Sequence, residues 1–324
     1  MPGPASRWFY SSSPHVSAGD AAQMLLDSFA KKTIIRRQIF DANQLQKLSL
    51  TLGRRQLHGV DISDNPPAVG TPVPPGWHLV FFTPNGLESE LGPDGTDRTF
   101  NATAPFTRRM WAGGRMKWPS APENQGGVLR IGDEVEERTR LVAAAAKKSR
   151  KSGEMVLVDV EKEYWGPKGL CLVDQRSWVF RPEITSVPQT ERSELVGRVS
   201  RAPSTVQDMP KKENVGLFRF SALTFNGHLI HYNEGWARNV EGHAGEVVHG
   251  PLNLINVLDY WRDIHGHGEL SLPKEISYRA TSPIYAGEEY SLKTANFHDA
   301  DGGKNVKVIA EKAGTTCFSA DIVA

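Results

Sequence analysis

Apolar residues recur at helical spacing in three stretches of the chain. Residues 21–31 follow Asp20, and residues 41–52 begin with Asp41; either carboxylate can cap a helix N-terminus. The longest stretch, residues 251–264, has apolar positions three and four residues apart, and we predict a buried amphipathic helix there. Its apolar positions are Leu254, Ile255, Leu258, Trp261 and Ile264.

Apolar and polar side chains alternate in residues 107–181 and 276–323, which predicts strands. In the first region, valines at alternate positions of residues 156–160 point to one side of the predicted sheet. Glycine-containing turns divide both regions, so we predict long antiparallel strands joined in chain order. Ahead of them, residues 77–82 follow a loop rich in proline and glycine, and form either a buried helical turn or a strand.

The two strand regions resemble each other in order and in turn chemistry. Residues 131–135 and 286–290 each place a glycine and two acidic residues at the start of a strand. Residues 153–158 and 303–308 each begin with a glycine and continue as an alternating strand. The same order in both regions indicates an internal duplication. A sheet wrapped around one helix in each half would bury the apolar faces of both elements, so the predicted fold class is α+β.

The duplication divides the chain into an N-terminal unit, residues 21–185, and a C-terminal unit, residues 215–324. Residues 186–214 are polar and proline-bearing, and we expect them to link the units. Residues 1–20 contain Arg7, a serine cluster and no acidic residue before the last position. This composition suits a mitochondrial transit segment or a disordered tail. We therefore expect a mitochondrial location, with the cytoplasm as the alternative.

Composition excludes several classes of function. The net charge of +1 over 324 residues lacks the basic excess of a nucleic-acid-binding protein. Two cysteines make neither a disulfide framework nor a zinc site, which suits a reducing compartment. No apolar run approaches the roughly 20 residues that span a bilayer.

The candidate chemistry lies just before the predicted helix 251–264. Residues 220–252 hold four of the ten histidines, His228, His231, His243 and His249. Loss of water from a 3-hydroxyacyl thioester needs a base, a group that holds the hydroxyl, and a donor for the oxyanion. The imidazole of His231, the carboxamide of Asn226 and the free N–H of Gly250 at the helix start can fill these roles.

The motifs SALTFNGHLIHY and EG-x-x-G-x-VVHGPL resemble the catalytic segment of MaoC-like hot-dog enoyl-thioester hydratases. They are most similar to fungal type 2 hydroxyacyl-thioester dehydratases and to mesaconyl-CoA hydratase-like proteins. The resemblance extends to residues 74–78 and 108–114, and covers the chain from about residue 21 onward. It implies a double hot-dog fold, with two antiparallel sheets each wrapped around a central helix. It also implies that the C-terminal repeat is catalytic and that the N-terminal repeat binds the acyl chain.

Within this resemblance His231 matches the catalytic histidine, and Asn226 occupies a place where the wider family usually has aspartate. Three positions depart from the pattern, namely Asn233, His243 with Ala244, and Glu246. The substrate-binding candidates are His228, His249, Asn253, Trp111 and Arg109. We also expect His249 to cap the helix.

Arginines 108, 109 and 115 could contact the phosphates of coenzyme A or of a phosphopantetheine arm, although charged residues on an exposed strand face are the commoner case. The histidines have no spacing typical of metal ligands, so we predict no metal, and the chemistry requires no cofactor.

The sequence therefore predicts a hydro-lyase that acts reversibly on a 3-hydroxyacyl thioester of coenzyme A or of an acyl carrier protein. Two alternatives stay open. The departures at Asn233, His243 and Glu246 also suit a hot-dog enzyme of fungal specialised metabolism that dehydrates or cyclises a non-thioester compound. The amide at Asn226 also suits a non-catalytic acyl-binding subunit. We expect a monomer or a homodimer with no nucleic-acid partner and no membrane span.

Overall fold

The computed structural model describes residues 16–119, 127–149, 153–184, 213–266, 271–300 and 303–324. Most of the expected N-terminal tail and nearly all of the expected linker lie outside these ranges. The helices are α1 (Ala18–Phe29), α2 (Ala42–Thr51), α3 (Glu213–Leu223), α4 (Glu234–Asn239) and α5 (Gly250–His265). Short 3-10 turns cover Trp77–Val80, Glu88–Glu90 and Leu229–His231.

The described residues form eleven strands, which follow the predicted regions and add short segments in the first 61 residues. In the N-terminal half they are β1 (Thr33–Ile39), β2 (Gln56–Leu57), β3 (Val60–Asp61), β4 (Arg108–Lys117), β5 (Glu134–Ser149), β6 (Gly153–Gly166) and β7 (Gly169–Arg181). In the C-terminal half they are β8 (Glu275–Ala280), β9 (Ser291–Ala300), β10 (Gly303–Lys312) and β11 (Thr315–Val323). The predicted antiparallel arrangement is confirmed.

The two half-sheets join edge to edge into one nine-stranded sheet. Its order is β1-β5-β6-β7-β4-β8-β11-β10-β9, and the seam is the antiparallel pair β4–β8. The order reads alike outward from this seam, because β4, β7, β6 and β5 mirror β8, β11, β10 and β9. This symmetry is what an internal duplication of a hot-dog unit produces, and it confirms the predicted α+β fold class.

Helix α5 is buried in the larger of the two apolar clusters. Leu254, Ile255, Leu258 and Trp261 are at most 1% exposed, as predicted, but Ile264 is 61% exposed, so its predicted burial is wrong. The helix begins one residue earlier than predicted, and Pro251 is its second residue.

In the N-terminal half, two shorter pieces share the role of a central helix. Helix α1 packs its buried face on β5 and β6, and the 3-10 turn Trp77–Val80 packs beside α5. Residues 77–82 thus begin as a helical turn rather than as a strand. None of the helices in the described ranges is both long enough and apolar enough to cross a membrane.

The caps of the first two helices differ in how well the sequence predicted them. Asp41 caps α2 by accepting from the N–H of Gln44, as expected. Helix α1 instead begins at Ala18, so the cap predicted at Asp20 is wrong. Ser17 is the N-cap, and Asp20 returns a bond to the Ser17 N–H. The Ser-x-x-acid spacing of a capping box was present in the sequence.

Candidate active site

One cavity of about 760 Å³ brings the predicted site residues together. Its walls come from the segment before α5, from β4, and from the inner faces of β5, β6 and β7. All eight predicted residues line it: Asn226, His228, His231, His249, Gly250, Asn253, Arg109 and Trp111. Six of them come from one short segment, whereas the two residues of β4 come from the other half of the molecule.

His231 ends the 3-10 turn Leu229–His231, and its ring is buried in the cavity wall. Its Nδ1 lies 2.7 Å from the carbonyl oxygen of Val247, so Nδ1 carries a proton and Nε2 keeps its lone pair. Burial lowers the pKa of His231 well below its usual range, and His249 and His228 lower it further. A neutral imidazole with a fixed tautomer can act as a base at neutral pH.

His249 immediately precedes α5 and stacks on His231, with ring centroids 3.6 Å apart. His249 is the N-cap residue of α5, as predicted, but its side chain makes no cap hydrogen bond, and its Nε2 lies 2.8 Å from the Ser221 hydroxyl instead. Burial lowers the pKa of His249 to about 3, so this ring is also neutral near pH 7. Its Nδ1 is buried and has no hydrogen-bond partner among the described residues. Sequence reasoning did not find Ser221, which lies at a helical position of α3.

Asn226 enters the cavity through a tight turn at the end of α3. Phe225 adopts a left-handed conformation with φ of 48°. The Oδ1 of Asn226 then accepts from the backbone N–H of His228 at 3.1 Å, as in an Asx turn. Because the oxygen is engaged, the carboxamide NH₂ is the part that can reach a ligand oxygen.

His228 belongs to a polar cluster that the sequence analysis missed. Its Nε2 lies 3.2 Å from Oε1 of Glu241 and 3.6 Å from Oδ2 of Asp94. Glu241 also accepts from Trp236 Nε1 at 3.2 Å, and Arg108 lies 3.6 Å from its other oxygen. The glutamate belongs to the EG-x-x-G motif, which was the available signal, whereas Asp94 lies in a distant loop.

This cluster is also the one group in the described ranges with three potential metal ligands in reach of one another. The ligand atoms of Asp94, His228 and Glu241 lie within 4.8 Å of one another, although sequence spacing predicted no metal site. Because Glu241 already bonds to Trp236 and lies near Arg108, we interpret the cluster as hydrogen-bond support for the His228 ring.

Gly250 lies where the N-terminus of α5 meets β4. A Cβ atom there would lie 2.8 Å from Cγ and 2.9 Å from Cβ of Trp111. Glycine therefore allows the indole to pack against the first turn of the helix, whose first N–H groups have no partner within the helix. One turn along, Asn253 is buried, and its Oδ1 has no hydrogen-bond partner in the described part of the chain.

The three candidate phosphate-binding arginines have different surroundings. Arg109 is mostly buried, lies over the Trp178 ring at 5.2 Å, and has Asp97 at 3.8 Å. The exposed-face interpretation is therefore wrong for Arg109. It is right for Arg115, which forms an ion pair with Glu275 on the surface. Arg108 donates to the Glu241 carbonyl instead.

The positions that depart from the family pattern also have structural roles. Asn233 caps α4 by accepting from the Trp236 N–H at 2.9 Å. His243 lines the cavity with its Nε2 3.9 Å from Glu241, and burial lowers its pKa. Burial raises the pKa of Glu246, and Glu234 adds to the effect.

A double hot-dog sheet with a neutral histidine and a carboxamide beside a helix N-terminus defines the class of hot-dog hydratases and dehydratases. The family described as hydroxyacyl-thioester dehydratase type 2 matches residues 76–286, and the chain belongs to that family. The protein is accordingly an enzyme, a hydro-lyase, as its sequence predicted.

Relatives support the same assignment. The chain is 32% identical over 221 residues to a mesaconyl-C(4)-CoA hydratase of Chloroflexus aurantiacus, covering 68% of this chain and 73% of that protein. It is 26% identical over 239 residues to a mitochondrial hydroxyacyl-thioester dehydratase type 2 of Schizosaccharomyces pombe, covering 67% and 76%. A Mycobacterium tuberculosis protein with a double hot-dog fold superposes with a TM-score of 0.53 at 12% identity, covering 92% and 97%. This last likeness concerns the fold alone.

Proposed function

We propose that the enzyme interconverts a 3-hydroxyacyl thioester and the 2-enoyl thioester by loss and addition of water. His231 acts as base and acid, Asn226 holds the hydroxyl or water, and the Gly250 N–H polarises the thioester carbonyl. The C-terminal unit supplies these groups, and the N-terminal unit binds the acyl chain. The tautomer of His231 carries the proposal, because the Nδ1 bond to Val247 leaves Nε2 as a base in the cavity.

Nε2 of His231 takes the proton from C2 of the 3-hydroxyacyl group, and negative charge develops on the thioester oxygen near the Gly250 N–H. The C3–O bond then breaks, and the imidazolium returns its proton to the departing hydroxyl, which leaves as water. The carboxamide NH₂ of Asn226 donates to that oxygen throughout. Hydration is the reverse.

Two finer assignments accompany this proposal. The carrier is coenzyme A or an acyl carrier protein, and the name of the Chloroflexus aurantiacus relative favours coenzyme A. The Schizosaccharomyces pombe relative is named mitochondrial, which supports a mitochondrial location for this chain as well. A fluorescent fusion to the full chain tests that location, and diffuse cytoplasmic signal would contradict it.

Hydration of a trans-2-enoyl-CoA by the full chain tests the chemistry. His231→Ala should lower kcat by at least about 100-fold, the usual scale for losing a general acid–base group, while circular dichroism stays native. Asn226→Ala should lower kcat less strongly. The exposed His298 is the matched control, and His298→Ala should behave like the wild type. Full turnover by a folded His231→Ala variant would remove the assignment.

The alternatives predict different results in the same assay. A non-catalytic acyl-binding subunit would bind thioesters without turnover and would be indifferent to His231→Ala. A hot-dog enzyme of specialised metabolism would be inactive on every acyl thioester and would bind a polycyclic or polyketide ligand tightly. A base held in its reactive tautomer favours catalysis over the first alternative.

A further inference from the structure

Charged side chains cross the inner face of the N-terminal half-sheet, where their neighbours are apolar. Along β6 the inner face carries the buried valines of residues 156–160 and then Lys162. Register places Thr139 of β5 and Asp174 of β7 on either side of Lys162. Arg176 of β7 lies opposite Val160, next along the same face. We call Arg36, Lys162, Arg176, Glu137 and Asp174 the inner charged row.

Hydrogen bonds join the inner charged row into two groups. Lys162 Nζ donates to Glu137 at 2.9 Å, and Arg36 donates to the other oxygen of Glu137 at 2.6 Å. Arg176 donates to Asp174 at 2.7 Å and lies over the Trp111 ring at 5.5 Å. The row separates the two apolar clusters of the sheet.

The row presents positive charge to the cavity. Its carboxylate side chains are the more covered groups, Glu137 being 1% and Asp174 0% exposed, and of these two only Glu137 borders the cavity. Its cationic side chains remain partly exposed, Lys162 by 11%, Arg176 by 15% and Arg36 by 25%. All three cations line the cavity that contains His231.

Charge within the row does not balance. Three cations face two carboxylates, which leaves one positive charge in excess. The neighbouring His78 does not add another, because burial lowers its pKa, and burial raises the pKa of Tyr164 so that it stays neutral. Burial also lowers the pKa of Lys162 to about 8, and the nearby Arg176 contributes. An unpaired positive charge in a buried site costs free energy. A bound anion would offset that cost, so the inner charged row is suited to bind one.

We propose that the acyl group of the substrate carries a carboxylate, which binds Lys162 and Arg176 in the cavity wall. This inference rests on the proposed function and names its substrate class, a dicarboxylic acyl thioester. A methyl-ended chain would place hydrocarbon against these cations, whereas a carboxylate would accept charge-assisted hydrogen bonds from both.

A phosphate of the carrier is the other possible source of an anion. Lys162 lies on the inner face of the sheet between two apolar clusters, and a cavity of about 760 Å³ that also holds the acyl group leaves little room for a nucleotide. We therefore assign the anion to the acyl group, and the experiment separates the two sources.

Three trans-2-enoyl-CoA substrates of equal backbone length test the proposal: glutaconyl-CoA, its terminal methyl ester, and 2-pentenoyl-CoA. Wild-type enzyme should show kcat/KM about 10- to 100-fold higher for the acid than for the other two, the range of a charge-assisted bond. Lys162→Met removes the excess charge and should reduce that preference by a similar factor. Equal kcat/KM for acid and methyl ester in the wild type would overturn the proposal, whether or not the variant folds.

Two comparisons complete the test. Lys168→Met, on the exposed β6–β7 turn, is the matched control and should keep the wild-type preference. If Lys162→Met lowers kcat/KM equally for all three substrates, the anion belongs to the carrier and the proposal is wrong.

A binding measurement tests the carboxylate site separately from the proposed reaction. His231→Ala should still bind saturated glutaryl-CoA about 10-fold or more tighter than pentanoyl-CoA by calorimetry, and this result holds even without turnover. Equal affinities would overturn the carboxylate assignment independently of the reaction.

Discussion

His231 and His249 stack with their ring planes 18° apart and their centroids 3.6 Å apart. Two stacked, buried imidazoles cannot both become charged cheaply, so each disfavours protonation of the other. The stack therefore keeps His231 in the form that the proposed reaction needs.

The first prediction is the pH dependence of activity. Burial and the two neighbouring histidines hold the pKa of His231 well below its usual range, so the base stays neutral at the pH where an ordinary histidine takes up a proton. With 2-pentenoyl-CoA, kcat/KM should be flat between about pH 6 and pH 8, and should fall only in more acidic buffer. A half-maximal value near pH 6.5, the ordinary histidine value, would show that the site leaves His231 unperturbed.

The second prediction concerns stability. The pKa of His249 is about 3 when folded and near 6.5 when unfolded, so the unfolded chain binds more protons below pH 6.5. The contribution of neutral His249 to the stability of the folded protein is therefore fully present above pH 6.5 and is lost as pH falls towards 3. Between pH 7 and pH 5 this histidine should cost the wild type about 2 kcal/mol of unfolding free energy.

His249→Phe isolates this contribution, because it keeps a stacked ring but cannot take up a proton. Urea unfolding should show the difference in stability between wild type and variant shrinking by about 2 kcal/mol from pH 7 to pH 5. A difference that does not change with pH would mean that His249 is not held neutral by the fold.

The third prediction concerns the contact between Gly250 and Trp111. Gly250→Ala forces a Cβ against the base of the indole side chain, and overpacking of this kind costs about 1–3 kcal/mol. Activity should also fall, since the helix N-terminus must move. Adding Trp111→Leu should recover part of the lost stability, so that the double variant is less destabilised than the sum of the singles.

Gly245→Ala is the matched control for that series. A Cβ there meets nothing within 4 Å, so its stability should stay within about 0.5 kcal/mol of the wild type. Strictly additive losses in the Gly250 and Trp111 variants would mean that the two residues do not press on each other.

Much of the site was predictable because its groups are close in sequence. Asn226, His228 and His231 lie within six residues of one another, and His249 and Gly250 stand at the start of α5. Local patterns carry that information. The duplication was readable for a similar reason, since turns and strands recur in the same order in both halves.

What the sequence did not reveal depends on pairing across distant strands and loops. Asp94 reaches His228 from a loop more than a hundred residues earlier, and Ser221 reaches His249 from another helix. The inner charged row had one local signal, Lys162 continuing a stripe of valines, but its partners follow from strand register. Ile264 shows the converse error, because helical spacing defines a face without telling where the covering sheet ends.

The last prediction concerns Asp259, which joins α5 to the N-terminal half. Its carboxylate is buried, accepts from Trp77 Nε1 at 2.9 Å, and pairs with Arg54 at 2.9 Å and Arg262 at 2.8 Å. Asp259→Ala leaves these donors without their shared acceptor and should cost about 3–5 kcal/mol in urea unfolding. Asp263→Ala is the control, because that carboxylate is 43% exposed and should cost about 1 kcal/mol or less. Equal losses in the two variants would show that burial of Asp259 does not anchor the helix.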